Sequence, residues 1–276
     1  MKSIGCIIAR TNSTRLPKKV LRTVSGRKLI ECIIDKMKRV KKLDEIYICT
    51  SIDPDDQILL DIATENGVKG YAGSRDSVLD RMLDVGKKEN ADCLVRITGD
   101  NIFTDEVYLD IMLEKHQQYD AEYTRTENLP VGVTSEIINL TALKHCKTII
   151  APEYSQYLML YMFNPSLYKC LTIIPPKEHQ HPDWSLTVDS PEDMKRTLDI
   201  LQNQAFIPDY DQICKICKNT NPDHLQYNQS GDVKFPAGVI ISFEAYRAEM
   251  DHRIKNAHQE KISLEMYQEV YREQQV

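Results

Sequence analysis

Residues 7–21 read Ile-Ile-Ala-Arg-Thr-Asn-Ser-Thr-Arg-Leu-Pro-Lys-Lys-Val-Leu, an apolar run that leads directly into a basic loop. We predict a buried strand over residues 3–9, followed by a loop over residues 10–19 that carries four cations and several hydroxyl side chains. Open α/β sheets bind ligands at the carboxyl ends of their strands, so these cations can converge on one polyphosphate. The loop has neither the spacing of a P-loop nor the glycine pattern of a dinucleotide-binding fold.

Apolar runs and amphipathic stretches alternate beyond this loop. The strand-like runs lie at residues 4–9, 45–50, 69–71 and 93–98, and helical periodicity is found at residues 29–41, 55–66 and 76–88. Thr104 is predicted to cap the next helix. The alternation predicts βαβ units and an α/β fold with a largely parallel sheet.

The second half of the chain is less regular. We predict a helix around residues 153–163, and another that Ser190 caps, with Pro191 in its first turn and an inward face of Met194, Leu198 and Leu201. Residues 209–218 are predicted as a helix, 219–231 as a polar loop and 242–274 as one charged helical stretch.

Composition narrows the class of protein. The chain has 276 residues, a formal net charge of −6 and a calculated pI near 5.7, which argues against a general nucleic-acid binder. It shows no apolar run long enough to cross a bilayer and no signal-peptide pattern, so we expect no membrane partner and a cytoplasmic location.

The chain contains eight cysteines. Those at positions 6, 32, 49 and 93 lie in apolar patterns and are predicted to be reduced core residues. Cys214 and Cys217 have the Cys-x-x-Cys spacing of redox and zinc sites, but no second pair accompanies them, so two thiols on one helical face is the preferred interpretation.

Three further motifs follow the basic loop. They are Gly-Ser-Arg-Asp-Ser-Val-Leu-Asp-Arg at 73–81, Arg-Ile-Thr-Gly-Asp at 96–100 and Leu-Thr-Val-Asp-Ser-Pro-Glu-Asp at 186–193. Together with residues 9–21, this series resembles the cytidylyltransferases that activate 3-deoxy-manno-octulosonate and acylneuraminate, most closely their spore-coat-polysaccharide branch. The likeness spans roughly residues 1–205, and Lys18 stands where the family has glycine.

The resemblance implies a three-layer α/β fold around a mostly parallel nucleotide-binding sheet, as in nucleotide-diphospho-sugar transferases. A helical C-terminal extension follows this fold. We expect a nucleotidyltransferase domain over residues 1–205, an acceptor and dimerisation part within 119–185, and an extension over 206–276. A homodimer is expected.

The resemblance also implies site residues. Arg10, Arg15 and Lys19 are expected to hold the triphosphate and to act in catalysis. The nucleotide-binding set comprises Ile8, Ala9, Arg10, Arg15, Lys19, Ser74, Arg75, Thr98 and Asp100. Lys18 is interpreted as a solvent-facing lysine, and Asp80 and Arg81 as part of a surface charge pattern.

Asp100 and Asp189 are the predicted metal ligands. Each follows a strand-like run, so both can lie at one sheet edge although they are far apart in sequence. Carboxylates, water and substrate phosphates are the ligands that Mg²⁺ prefers, and the matching aspartates of the resembled family bind metal. We therefore expect Mg²⁺ as the cofactor.

Acceptor recognition is where the chain departs from its relatives. Asn101-Ile102-Phe103 replaces a Cys-Pro-Leu-like run, Val133-Thr134-Ser135-Glu136 replaces Leu-Asp-Val-Glu, and Glu153-Tyr154-Ser155 replaces Glu-His-Val. Glu136, Glu153 and Tyr154 are the predicted acceptor-binding residues.

The resulting hypothesis is a Mg²⁺-dependent cytidylyltransferase. It couples CTP to a small-molecule acceptor, either a sugar acid or a phosphorylated compound, releases pyrophosphate and serves surface glycan or related conjugate synthesis. The alternatives are a nucleotidyltransferase that uses another triphosphate, a glycosyltransferase that consumes a nucleotide-sugar, and a non-catalytic nucleotide-binding protein.

Overall fold

The structure, a computed structural model, describes residues 1–202, 204, 206–219, 225–226, 231–235 and 238–275. In these residues the strands are β1 Ser3–Ile8, β2 Thr23–Val24, β3 Arg27–Lys28, β4 Glu45–Ser51, β5 Lys69–Gly73, β6 Cys93–Thr98, β7 Tyr123–Thr126, β8 Glu136–Asn139, β9 Cys170–Ile174, β10 Asp232–Lys234, β11 Ile240–Ser242 and β12 His258–Lys261. The helices are α1 Leu29–Met37, α2 Gln57–Glu65, α3 Val78–Glu89, α4 Glu106–Gln118, α5 Leu140–Ile149, α6 Leu158–Met162, α7 Pro191–Ile200, α8 Tyr210–Lys218, α9 Phe243–Asn256 and α10 Leu264–Gln274.

An eight-stranded sheet forms the centre, in the order β12-β9-β7-β8-β6-β1-β4-β5. Strand β8 runs antiparallel to both of its neighbours, while the other strand pairs in the sheet are parallel. In β1, Ile7 faces one core cluster, with α1, α2 and α4, whereas Ile4 and Cys6 face the other, with α3 and α5. Both faces of β1 are therefore buried, which explains its continuous apolar sequence and confirms the predicted three-layer α/β fold.

The predicted N-terminal strands and helices are confirmed to within a few residues. The cap of α4 is one residue later than predicted, because the Asp105 side chain accepts a hydrogen bond from the Tyr108 amide, while the Thr104 hydroxyl donates to the Asn101 carbonyl. The helix predicted around 153–163 is a 3₁₀ helix over Pro152–Tyr157 followed by α6.

The helix after Ser190 begins as predicted, with Ser190 as its cap and Pro191 in the first turn. Its inward face differs, because Leu198 is 44% exposed while Thr197 and Ile200 are buried. Met194 and Leu201 do pack against the core.

The C-terminal region is not one helical stretch. Helix α9 ends at Asn256, and β12 then pairs in parallel with β9 before α10 begins. A strand as short and polar as β12 is stabilised by its backbone hydrogen bonds to a strand that is distant in sequence. Local periodicity does not reveal such a pairing. Tyr210 and Tyr267 lie in the same core cluster as Ile7 of β1, and the predicted division at residue 205 stays a prediction.

The loop predicted over residues 219–231 lies largely outside the described residues. All eight cysteines are buried, and all are in the reduced form. Burial raises the pKa of Cys214 to about 12 and that of Cys217 to about 11, which keeps both as unreactive thiols. In the part of the chain that the structure describes, no helix combines the length and apolar character needed to cross a membrane.

Candidate active site

The basic loop starts at the carboxyl end of β1 and is fixed there by a buried aspartate. Asp56 Oδ1 accepts hydrogen bonds from the amide and the hydroxyl of Thr11, both at 2.7 Å, and Asp56 Oδ2 accepts from Ser51 Oγ at 2.6 Å. Burial disfavours the carboxylate, but the bonds from Ser51 and Thr11 outweigh it and lower the pKa of Asp56. An ionised side chain therefore anchors the start of the loop.

Lys19 forms ion pairs with both predicted metal ligands. Its ammonium lies 2.7 Å from Asp100 Oδ2 and 2.6 Å from Asp189 Oδ1, so the two carboxylates are neighbours although 89 positions separate them. Burial opposes the charge of Lys19, yet the ion pairs with Asp100 and Asp189 prevail and raise its pKa. Arg15 adds a second cation, 3.1 Å from Asp189 Oδ2.

Asp100 follows β6, as predicted, but Asp189 does not follow a strand. Residues 186–189 are an irregular segment beside β6, held by a hydrogen bond from the Val188 amide to the Asp100 carbonyl. Asp193 completes the arrangement, since its Oδ2 accepts from the amides of Asp189 and Ser190, each at 2.9 Å. Asp189 is therefore placed by the hydrogen bonds of an irregular segment, one of them to the Asp100 carbonyl, rather than by a strand of its own.

These two carboxylates fit a divalent cation. They already hold one positively charged group between them, and their oxygens are hard ligands of the kind that Mg²⁺ takes. Among the described residues no cluster of three or more histidine, cysteine, aspartate or glutamate side chains is suited to a metal. Substrate phosphates and water would have to supply the remaining ligands, which is usual for Mg²⁺.

A cavity of about 760 Å³ opens around these groups. Of the predicted site residues, those that line it are Ile8, Ala9, Arg10, Arg15, Lys19, Arg75, Thr98, Asp100, Glu153 and Asp189. Ser74 and Tyr154 are not part of the lining, and Ser74 Oγ instead accepts a hydrogen bond from the Ser77 amide. Their ligand-binding roles stay predictions.

Glu136 lines a smaller adjacent cavity of about 240 Å³. Both of its oxygens are engaged, Oε2 with Arg96 Nη1 and Oε1 with the Tyr123 hydroxyl, each at 2.5 Å. Its carboxylate thus holds Arg96 in place.

Arg81 is a site residue that the sequence interpretation missed. Its side chain is only 1% exposed, so the predicted surface role is wrong. It lines the large cavity, and its Nε and Nη1 atoms are buried without a hydrogen-bond partner. Desolvation lowers the pKa of Arg81. The missed signal was its place on the apolar face of α3, between Val78 and Val85.

The backbone conformation at Lys18 explains why the family pattern has glycine at this position. Its backbone adopts the left-handed conformation, with φ of 54°, which glycine enters without steric cost. The side chain is exposed and does not line the cavity, in agreement with the predicted solvent-facing lysine.

Comparisons with known proteins identify the family of this chain. The cytidylyltransferase family model matches residues 4–229. The spore coat polysaccharide biosynthesis protein SpsF of Bacillus subtilis is 32% identical over 225 residues, covering 79% of this chain and 94% of that protein.

Two solved structures share the fold. A cytidylyltransferase from Leptospira borgpetersenii superposes with a TM-score of 0.74 at 26% identity, covering 84% of this chain and 99% of that one. A CMP:2-keto-3-deoxy-manno-octonic acid synthetase complexed with CTP has a TM-score of 0.57 at 16% identity, with coverage of 73% and 98%, and shows the fold alone. The chain belongs to the cytidylyltransferase family and is a nucleotidyltransferase.

Proposed function

We propose that the protein is a Mg²⁺-dependent cytidylyltransferase that couples CTP to a small acceptor and releases pyrophosphate. The observation that carries the proposal is the Lys19 ammonium held between Asp100 and Asp189 in an arginine-lined cavity. Carboxylates beside phosphate-binding cations are the arrangement that a metal-bound triphosphate needs.

In the proposed reaction, an acceptor oxygen attacks the α-phosphorus of CTP. The new phosphorus–oxygen bond forms as the bond to the bridging oxygen of the β-phosphate breaks, and pyrophosphate leaves with that electron pair. Arg10, Arg15 and Lys19 hold the triphosphate in line and offset the charge that develops on the leaving group. Mg²⁺ bound by Asp100 and Asp189 would supply further charge neutralisation at the phosphates.

The raised pKa of Lys19 supports this role, because its ammonium stays charged at neutral pH. When phosphate oxygens enter the cavity, Lys19 can exchange one carboxylate partner for a phosphate partner without leaving the site.

Recognition of the nucleoside is assigned to other residues of the same cavity. The loop before α3 brings Arg75 to the lining, and Thr98 approaches from the end of β6. We infer that Arg81 donates to the nucleotide through its Nε and Nη1 atoms, because a buried guanidinium without acceptors is costly unless a ligand supplies them. Cytosine offers such acceptors in its carbonyl oxygen and ring nitrogen.

The biological setting follows from the relatives. SpsF is named for spore coat polysaccharide biosynthesis, and we propose that this chain makes a CMP- or CDP-linked precursor for a surface glycan, in the cytoplasm. Glu153 lines the large cavity and is proposed to contact the acceptor, and a part of the chain within residues 119–185 is proposed to contribute to acceptor binding and to the contact between two copies in a homodimer.

A nucleotide screen tests the proposal. The full-length protein is heated with Mg²⁺ and each of CTP, ATP, GTP and UTP, and CTP is expected to give the largest rise in Tm, since a ligand that binds only the native state stabilises it. Pyrophosphate release is then measured with sugar acids and with phosphorylated polyols. Equal shifts for all four triphosphates would refute the choice of CTP, and release of nucleoside diphosphate would indicate glycosyl transfer instead.

A further inference from the structure

The smaller cavity beside the nucleotide cavity is built from three strands of the sheet. Arg96 and Thr98 come from β6, Tyr123 and Arg125 from β7, and Glu136 from β8, and the rest of the lining is Asn101, Thr134, Ser135 and Met159. Arg96 and Thr98 line both cavities, so a molecule in the smaller one lies next to the nucleotide.

Two hydrogen-bonding groups at this cavity have no partner. Ser135 Oγ and Arg96 Nε are both buried, and neither forms a hydrogen bond. Buried polar groups left unpaired in this way destabilise a fold, so their retention points to a ligand that satisfies them.

The Arg125 guanidinium is held in place, but one of its donors has only a weak hydrogen-bond acceptor. Its Nε lies 3.0 Å from Glu127 Oε1, and its guanidinium carbon lies 5.0 Å from the centre of the Phe163 ring, which orients the planar group. Its Nη1 donates to the sulfur of Met159 at 3.2 Å. A thioether sulfur is a weak acceptor, so a hydrogen bond from Arg125 to an oxyanion would be stronger than its bond to Met159.

The carboxylate that lines this cavity is already engaged, since Glu136 accepts from Arg96 and from Tyr123. Glu127 does not line the cavity but forms an ion pair with Arg125. The unused hydrogen-bonding capacity therefore consists mainly of donors. Donors of this kind select a ligand that presents acceptor oxygens, and two guanidinium groups favour a charged one.

The sequence differences from the resembled family at this cavity also favour an anionic ligand. Thr134 and Ser135 occupy positions where the resembled family has aspartate and valine, so this chain exchanges a carboxylate for a hydroxyl and an apolar side chain for a second hydroxyl. The first exchange removes negative charge that would repel an anion, and the second adds a donor.

We propose that this cavity binds an anionic group of the acceptor, a carboxylate or a phosphate, through Arg96, Arg125 and Ser135. The inference rests on the proposed function, because it takes the neighbouring cavity as the CTP site. Here Glu136 acts as a positioning residue, since it orients Arg96 rather than touching the acceptor.

Calorimetric titration with small anions tests the proposal. The full-length protein is saturated with Mg²⁺ and a non-hydrolysable CTP analogue, and is then titrated with inorganic phosphate or with acetate at constant ionic strength. Saturable binding is expected. Ser135→Ala should weaken it at least tenfold, as should Arg125→Met combined with Glu127→Gln, which removes both members of the ion pair together.

Arg27→Met is the matched control, because Arg27 is also ion-paired with a carboxylate, Asp35, but lies outside both cavities. Tighter binding of phosphate supports a phosphorylated acceptor, and tighter binding of acetate supports a sugar acid. The proposal is overturned if neither anion binds saturably or if the cavity variants bind as the control does. The affinity for the CTP analogue, measured in the same samples, separates this failure from failure of the nucleotide site.

Discussion

Replacing Asp189 by asparagine keeps the size of the side chain but removes its charge. In the structure Asp189 Oδ1 lies 2.6 Å from Lys19, and Oδ2 lies 3.1 Å from Arg15. Hydrogen bonds to charged groups contribute about 1.5–3 kcal/mol each. We therefore expect a loss of about 3 kcal/mol of transition-state stabilisation, which corresponds to a fall in kcat/KM of roughly 150-fold.

The same change should have little effect on folding, because Lys19 keeps its contact with Asp100. The free energy of unfolding without nucleotide should change by less than about 1 kcal/mol, as is usual for partly exposed ion pairs. Asp199→Asn, at an exposed position on the same helix that Ser190 caps, is the control and should leave kcat/KM unchanged.

A double-mutant cycle with Asp100→Asn tests whether the two carboxylates form one site. If they do, the double variant should be little worse than either single variant, because each change already disables the shared site. Rates of pyrophosphate release at saturating Mg²⁺ provide the measurement. A combined loss of roughly 20,000-fold, the product of two independent effects, would refute the shared site. So would a single Asp189→Asn variant within a few-fold of wild type.

Four further outcomes are expected. Arg81→Met should weaken CTP binding at least tenfold in a titration, yet should not lower the Tm of the free protein, because it removes a buried guanidinium with unpaired donors. Arg15→Ala should lower kcat/KM at least tenfold, or about 1.4 kcal/mol, and an unchanged value would leave that arginine a surface cation. Lys18→Gly should raise the free energy of unfolding by about 1 kcal/mol in urea titrations without changing turnover, since it relieves a left-handed backbone. Asp56→Asn should destabilise the protein by about 1.5–3 kcal/mol at neutral pH. Because the folded-state pKa of Asp56 is lowered, its contribution is present above the unfolded pKa and is lost as the pH falls through the folded pKa, so both proteins should converge in acid.

Much of the fold was predictable because its signals are local. The buried apolar run of β1, the cations that follow it and the Ser190–Pro191 helix start each depend on residues within a few positions of one another. Short-range hydrogen bonding and periodic burial produce these patterns, so they can be read from sequence. The proximity of Asp100 to the basic loop has a different origin, since β1 and β6 are adjacent parallel strands and bring both segments to the same edge of the sheet.

The tertiary structure decided what depends on distant contacts. The contact of Lys19 with Asp189 joins residues 170 positions apart, and its geometry comes from hydrogen bonds in an irregular segment that has no periodic signature. Arg81 resembles any helix-surface cation until packing buries it without a partner, and β12 becomes a strand only because β9 offers an unpaired edge. Burial and long-range pairing belong to the folded chain as a whole, so the local sequence does not contain them.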